Sequence, residues 1–172
     1  MAAATALAGL QGVAMPDNGT LVQNLVMAAE NAADHLTHFY LFFMPDFARS
    51  VYRSEPWFET AETRFKAMNG TATREVLPAR AAFLHLMGIL AGRWPHTLGI
   101  QPGGTTRAVG ASEQARLLAT VASLRRFLET TLFADSLERI IALDSEAVLD
   151  AWVESASPAR ADFRHFLAVS KA

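Results

Sequence analysis

Residues 31–47 read NAADHLTHFYLFFMPDF, and before Pro45 one carboxylate and two imidazoles interrupt a long apolar helical face. From Leu21 to Phe43 the apolar side chains recur at spacings of one, three and four residues. That spacing is typical of a helix with a broad buried face. We therefore predict one long helix from Leu21 to Met44, and we expect Pro45 to end it because proline lacks the backbone N–H that a helix interior requires.

Helical patterns dominate the rest of the chain as well, with glycine and proline at the predicted boundaries. The other predicted helices are a short one before the turn Gly12–Gly19, a small one with Pro56 in its first turn, one from Pro78 to Ala91 ended by Gly92, one from Ser112 to Phe133 and three shorter pieces in the last forty residues. The predicted fold class is therefore all-α, an elongated helical bundle, with residues 1–172 as a single partial domain.

The segment Arg93–Arg107, RWPHTLGIQPGGTTR, is the main interruption of the helical pattern. Two prolines and three glycines make it unsuitable for a regular helix and favour a tightly folded loop. The backbone N–H groups of the turn Pro102–Thr106 could approach an anion or a cofactor closely. However, the spacing GxxxxGK[S/T] of a phosphate-binding loop is missing, so glycine content alone does not predict a nucleotide site.

Composition and charge argue against several classes of function. The chain has 172 residues, of which 51% are hydrophobic, enough for a sizeable core. Its net charge is −2 and its 15 basic residues are dispersed, which argues against nucleic acid as a partner. No apolar run approaches the roughly twenty residues of a membrane-spanning helix, so no membrane span is predicted. The lack of cysteine, and of a basic residue before the apolar amino terminus, favours the cytoplasm.

Asp34 and His38 are the residues best placed for chemistry. Their separation of four residues puts them on a common helix face. There a carboxylate could relay a proton and an imidazole could titrate near neutral pH. The alternative is a buried, hydrogen-bonded pair with a structural role, which is the commoner case. His35 and His38 have a workable spacing for metal ligands, but the HExxH pattern of zinc proteases is absent, and we predict no metal ligand.

The remaining polar and aromatic positions have simpler interpretations. His85 and His165 stand among aromatic and aliphatic residues and are predicted to be packed core histidines. Covalent catalysis is not expected, because the chain has neither a cysteine nucleophile nor a GxSxG elbow. Four apolar residues are candidates for an exposed surface and equally for the core: Phe42, Phe43, Met44 and Phe47.

Several ordered groups of residues resemble the large subunit of nickel-iron hydrogenases. They are Pro16 and Asn18, Asn24-Leu25, DHLTHFY at residues 34–40, GRWPHT at residues 92–97 and PGGTT at residues 102–106. The chain is similar to that family from about Ala2 to Phe166. The segment GRWPHT resembles the uptake and hydrogen-sensing branches of the family. The resemblance implies that the chain is an internal part of the larger hydrogenase large-subunit fold.

The resemblance also implies roles for single residues. It makes Asp34 the carboxylate beside the bimetallic centre, with His38 and His96 as supporting residues, and none of the three as a metal ligand. The ligands of that family are two CxxC pairs near the ends of the subunit, and this chain contains no cysteine. We therefore expect one pair shortly before Met1 and the other far beyond Ala172, with Met1 an internal methionine. No cofactor is expected on this chain alone.

For the complete subunit, the resemblance implies heterolytic cleavage of H2 at a nickel-iron centre. Electrons would pass to an iron-sulfur small subunit, for hydrogen oxidation or hydrogen sensing, in the cytoplasm or at a membrane through partner proteins. This chain alone is expected to be inactive. One alternative is a naturally cysteine-free maturation scaffold or interaction protein, and another is a plain helical interaction domain whose resemblance is accidental.

Overall fold

The computed structural model describes residues 1–171 and shows a mostly helical protein, with 70% of the chain in helices and one two-stranded ladder. The α-helices are Ala2–Gln11 (α1), Asp17–Thr37 (α2), Met44–Phe47 (α3), Phe58–Phe65 (α4), Ala72–Ala91 (α5), Ala111–Phe127 (α6), Leu137–Ile141 (α7), Glu146–Glu154 (α8) and Asp162–Ser170 (α9). Two π-helices span His38–Phe43 and Leu128–Leu132, and two 3₁₀ turns span Ser50–Tyr52 and Pro158–Arg160. The predicted helical character is confirmed.

The strands lie in the segment that was predicted to be a loop. Ile100–Gln101 (β1) and Gly104–Thr105 (β2) pair antiparallel, with Ile100 opposite Thr105. The rest of Arg93–Arg107 is irregular, as predicted. This segment and the helices around it belong to the first of two compact units. Unit 1 comprises Met1–Thr37 and Arg80–Val121, and unit 2 comprises His38–Ala79 and the chain from Ala122 onward.

In unit 1 the buried side chains come chiefly from one side of α2 and one side of α5. They are Val22, Val26, Ala29, Ala33 and Leu36 on α2, and Phe83, Leu86, Met87 and Leu90 on α5. Steps of three and four residues are the helical period, so the sequence pattern predicted these faces correctly. The prediction for His85 is wrong: its side chain is exposed. Apolar neighbours in sequence do not bury a residue that points away from the helix's buried stripe.

The long predicted helix does not stop at Pro45. α2 ends at Thr37, the backbone continues as the π-helix His38–Phe43, and α3 then carries Pro45 in its first turn. Proline is tolerated at that position because the first N–H groups of a helix have no partner within the helix. The helical backbone therefore continues from the π-helix into α3 at the position where the sequence rule placed an end.

Two predicted helix starts are wrong as well as the predicted end at Pro45. α5 begins at Ala72 and contains Pro78 in its interior, and its first half includes the fully buried Val76, whose packing holds the turn before the proline. Similarly, α4 begins at Phe58, beyond Pro56. The end of α5 is as predicted, because Gly92 has a φ of +78° and terminates the helix in the left-handed conformation.

Unit 2 has an aromatic core. Tyr40, Phe65 and Met44 are almost completely buried, and the rings of Tyr40 and Phe65 have centroids 6.4 Å apart. The four candidate surface residues divide in the structure: Met44 is in the core and Phe47 is half-buried, whereas Phe42 and Phe43 are 62% and 58% exposed. The three short helices predicted for the last forty residues are confirmed as α7, α8 and α9.

A network of charged groups ties the helices of unit 2 together. Arg64 on α4 donates two hydrogen bonds of 2.8 Å to the carboxylate of Asp162 on α9. Its other N–H groups reach Glu75 on α5 at 2.7 and 3.1 Å. The Tyr40 hydroxyl donates to Asp162 at 2.7 Å, and burial together with the Asp162 charge raises the pKa of Tyr40, which keeps the hydroxyl protonated as a donor.

Close approach of two glycines fixes the start of α2 against the strand ladder of unit 1. A Cβ on Gly19 would lie 2.9 Å from the Cα of Gly104 and 3.1 Å from the Cγ of Met15. We expect Gly19→Ala to lower the free energy of unfolding by about 1–3 kcal/mol in urea denaturation, because the backbone must move to admit the methyl group. Gly88→Ala on α5 is the matched control, since open space surrounds that position. It should raise stability by about 0.5–1 kcal/mol, and a loss as large at Gly88 would contradict the steric explanation.

His165 is a packed core histidine, as predicted, and is 5% exposed. Its Nε2 atom has no hydrogen-bond partner within residues 1–171. Burial lowers the pKa of this imidazole below its ordinary value of 6.5, with the Asp162 charge opposing the shift. The folded chain therefore binds the proton less readily than the unfolded chain does.

The stability of unit 2 should depend on pH through His165. The contribution of neutral His165 is complete above pH 6.5, the ordinary pKa, and is lost as the pH falls below it. The slope from this one group cannot exceed about 1.4 kcal/mol per pH unit, the limit for a difference of one bound proton. Urea denaturation between pH 7 and pH 5 measures this slope. His165→Gln, which does not titrate, should flatten it, and an unchanged slope in that variant would assign the pH dependence to other groups.

No helix within residues 1–171 is both long enough and apolar enough to cross a membrane.

Candidate functional site

The candidate site is a cavity of about 320 Å³ in unit 1, on the last two turns of α2. Helix α2 contributes Glu30, Asn31, Ala33 and Asp34, α5 contributes Arg80, and the loop after α5 contributes Trp94. The Asp34 side chain is exposed, so its carboxylate is accessible to solvent. Two carboxylates, an amide, a guanidinium and an indole N–H thus surround one space, a set that can hold or move a proton.

Arg80 anchors one wall of the cavity. Its Nε donates to the Thr37 hydroxyl at 2.7 Å and lies 3.3 Å from the carbonyl oxygen of Ala33. The Thr37 hydroxyl in turn donates to the same Ala33 carbonyl at 2.8 Å. These three residues therefore form a closed group of hydrogen bonds around the turn of α2 that carries Asp34.

The loop that follows α5 is held by short internal hydrogen bonds. The Thr97 hydroxyl donates to the carbonyl of Ala91 and accepts the N–H of Gly99 at 2.9 Å. Arg93 donates through Nε to the carbonyl of His96 at 2.9 Å. The Trp94 indole N–H is 3.4 Å from a carboxylate oxygen of Glu30, a long hydrogen bond that brings the loop to α2.

The three residues predicted for the site have different positions. Asp34 lines the cavity, whereas His96 is an exposed loop residue with a φ of +64°, two positions beyond Trp94. His38 is the first residue of the π-helix in unit 2, where its exposed ring has a centroid 5.5 Å from that of Phe42. The structure thus brings the Asp34 helix and the loop of Pro95-His96 to one cavity, through Trp94.

Sequence reasoning missed Arg80 and Trp94. A signal for Arg80 was available, because Arg80, Phe83 and Met87 follow one another at steps of three and four on α5. A charged residue in line with a buried stripe needs a hydrogen-bond partner for its charged group. Here the guanidinium of Arg80 binds Thr37 of α2. Trp94 could be found only from the fold, since nothing in an irregular loop fixes which helix a side chain reaches.

The double-glycine turn packs against α2. Gln23 of α2 donates from its buried amide to the carbonyl of Gly104 at 3.2 Å. Gly103 and Gly104 have φ values of +85° and +137°, which side-chain-bearing residues rarely adopt. These glycines therefore allow the turn to approach the backbone of α2 closely at Gly19.

Within the described part of the chain, no group of three or more histidine, aspartate or glutamate side chains could hold a metal ion. No protein-family model matches this chain.

Proposed function

We propose that this chain is the central part of the large subunit of a nickel-iron hydrogenase, of the uptake or hydrogen-sensing branch. The observation that supports this proposal is the shared cavity. Asp34 and Trp94 are far apart in sequence and stand in the two segments that resemble that family most closely. Both nevertheless line one polar space of unit 1. An accidental resemblance would not require the two segments to meet.

On this proposal Asp34 accepts and releases a proton at its carboxylate oxygens. An exposed carboxylate at the mouth of a polar cavity can exchange protons with solvent, and a positioned acid or base of this kind contributes substantially to proton transfer. Arg80 and the Trp94 indole supply positive charge and an N–H donor in the same space. His38 and His96 stay as proposed supporting residues.

The side chains of this chain do not fit the nickel-iron centre as ligands. That centre needs soft thiolates, and the sequence offers only imidazoles and carboxylates, which change both geometry and redox behaviour. The proposal therefore assigns the ligands to cysteine pairs outside this sequence. It also assigns H2 as the substrate, an iron-sulfur small subunit as the electron acceptor and the cytoplasm as the location.

Sequencing the gene on both sides of this segment, followed by an assay of the complete subunit, tests the proposal. The expected result is an in-frame CxxC pair just before Met1, a second pair far downstream, and H2-dependent reduction of an electron-accepting dye when the subunit is produced with its small subunit. Flanking sequence without cysteine pairs would contradict the proposal.

The second candidate is a cysteine-free maturation scaffold or interaction protein. It is favoured by the exposed apolar residues of α6, where Leu118 is 72% exposed and Val121 is 44% exposed. Apolar surface of this kind commonly marks an interaction site. Stop codons directly before Met1 and after Ala172 would support this candidate. Co-purification of the chain with a hydrogenase precursor would then test the scaffold role.

A further inference from the structure

The turn of α2 that carries Asp34 is held from outside its own helix. We propose that Arg80 is a positioning residue for Asp34, acting through the Thr37 hydroxyl and the Ala33 carbonyl. This inference rests on the proposed function and deepens it. Arg80 is not part of the resemblance, and nothing in the sequence pattern of α2 assigns it a role.

The first step of the argument is the backbone around Thr37. This residue is the last of α2, and the next residue begins the π-helix. A π turn interrupts the regular i to i+4 bonding, and such interruptions are frequent at functional sites. A threonine hydroxyl that bonds back to the carbonyl four residues earlier also tends to bend a helix. The end of α2 therefore needs an outside contact to keep one geometry.

Arg80 provides that contact. Its Nε binds the Thr37 hydroxyl and approaches the Ala33 carbonyl, and Ala33 itself is 2% exposed. A guanidinium has five N–H donors in a rigid plane, so fixing Nε also fixes the other two nitrogens. Since Arg80 is a lining residue of the cavity, its charge is held at a defined place beside the space that Asp34 also lines.

The consequence concerns Asp34 directly. It follows Ala33 and precedes Thr37 by three residues, so both ends of its turn belong to the group that Arg80 binds. A fixed turn holds the Cα and Cβ atoms of Asp34 at one place relative to the cavity. Without the anchor, the turn would sample several backbone geometries, and the carboxylate would be correctly placed for proton transfer less often.

The test uses variants of the complete large subunit assembled with its small subunit. Arg80→Met keeps the aliphatic stem and removes every donor, Thr37→Val removes the hydroxyl at nearly constant shape, and Thr37→Ser retains it. Arg74→Gln is the control, an exposed arginine on the same helix. Two quantities are measured: the kinetic constants for H2 oxidation, and the hydrogen–deuterium exchange of the backbone amides of residues 34–38.

We expect Arg80→Met and Thr37→Val each to lower kcat about tenfold and to raise the exchange rate by a similar factor. KM should change by no more than about twofold. The double variant should be no worse than the poorer single variant, because the two groups act as one unit. Thr37→Ser and Arg74→Gln should behave like the wild type.

Unchanged exchange in Arg80→Met would overturn the proposal, and so would additive losses in the double variant. The test separates this inference from the proposed function. If the wild-type complete subunit does not turn over H2, the proposed function fails, and the exchange rates alone then decide whether Arg80 holds the Asp34 turn.

Discussion

Asp162→Asn is expected to lower the free energy of unfolding by about 2–3 kcal/mol, because it leaves the Arg64 charge with only the half-exposed Glu75 carboxylate as a charged partner. The Asp162 side chain is 9% exposed and that of Arg64 is 21% exposed. The substitution keeps the shape of the side chain, yet it takes away the charge that receives both Arg64 hydrogen bonds and the Tyr40 hydroxyl. Asp162 also lies in the first turn of α9, where a negative charge favours the helix dipole.

Urea denaturation followed by circular dichroism measures this effect, with two other carboxylates for comparison. Glu75 binds the same guanidinium but its side chain is 47% exposed, so Glu75→Gln should cost only about 1 kcal/mol or less. Asp150→Asn, which removes the exposed ion pair with Lys171, should have little effect. Equal losses at all three positions would show that burial of the Asp162 pair adds nothing to its strength.

The sequence predicted the helices of this protein well because their buried faces repeat with the helical period. α2 and α5 were located by that period, and Gly92 was recognised as the end of α5 from its conformational freedom. The apolar residues of α6 have the same period, but only Leu124 of that helix is buried. Proline was the weak signal. At Pro45 the error concerned a helix end, and at Pro56 and Pro78 it concerned a helix start. At Pro45 the backbone changes to π geometry, and at Pro78 the helix continues through the proline, and neither event is written in the local pattern.

The candidate site was predictable only in part, for a different physical reason. Asp34 could be found because it is the one carboxylate in an apolar stretch and stands four residues before His38, which is a local property of the sequence. The rest of the cavity depends on which elements meet, and that is a long-range property of the fold. Arg80 reaches Thr37 across 43 positions of sequence, and Trp94 reaches Glu30 across 64. Such pairs become visible only when the helices are placed side by side.

Asp34→Asn in the complete large subunit is expected to lower H2 turnover by about a hundredfold or more, because a positioned acid or base contributes about 10² to 10⁴ to a proton transfer. The amide has the size and shape of the carboxylate but can neither accept nor release a proton in the working pH range. Binding of the metals should be preserved, since the proposed role of Asp34 does not include ligation. Dye reduction under H2 and elemental analysis of the purified subunit measure the two quantities.

Asp144→Asn is the matched control, because it makes the same chemical change at an exposed position between α7 and α8. It should leave both turnover and metal content at their wild-type values. Full activity in Asp34→Asn would remove Asp34 from the mechanism, whereas loss of the metals together with activity would assign it a role in assembly. Low turnover with a full metal complement is the one result that requires the Asp34 carboxylate itself, and it would also give Arg80 and Thr37 a defined group to position.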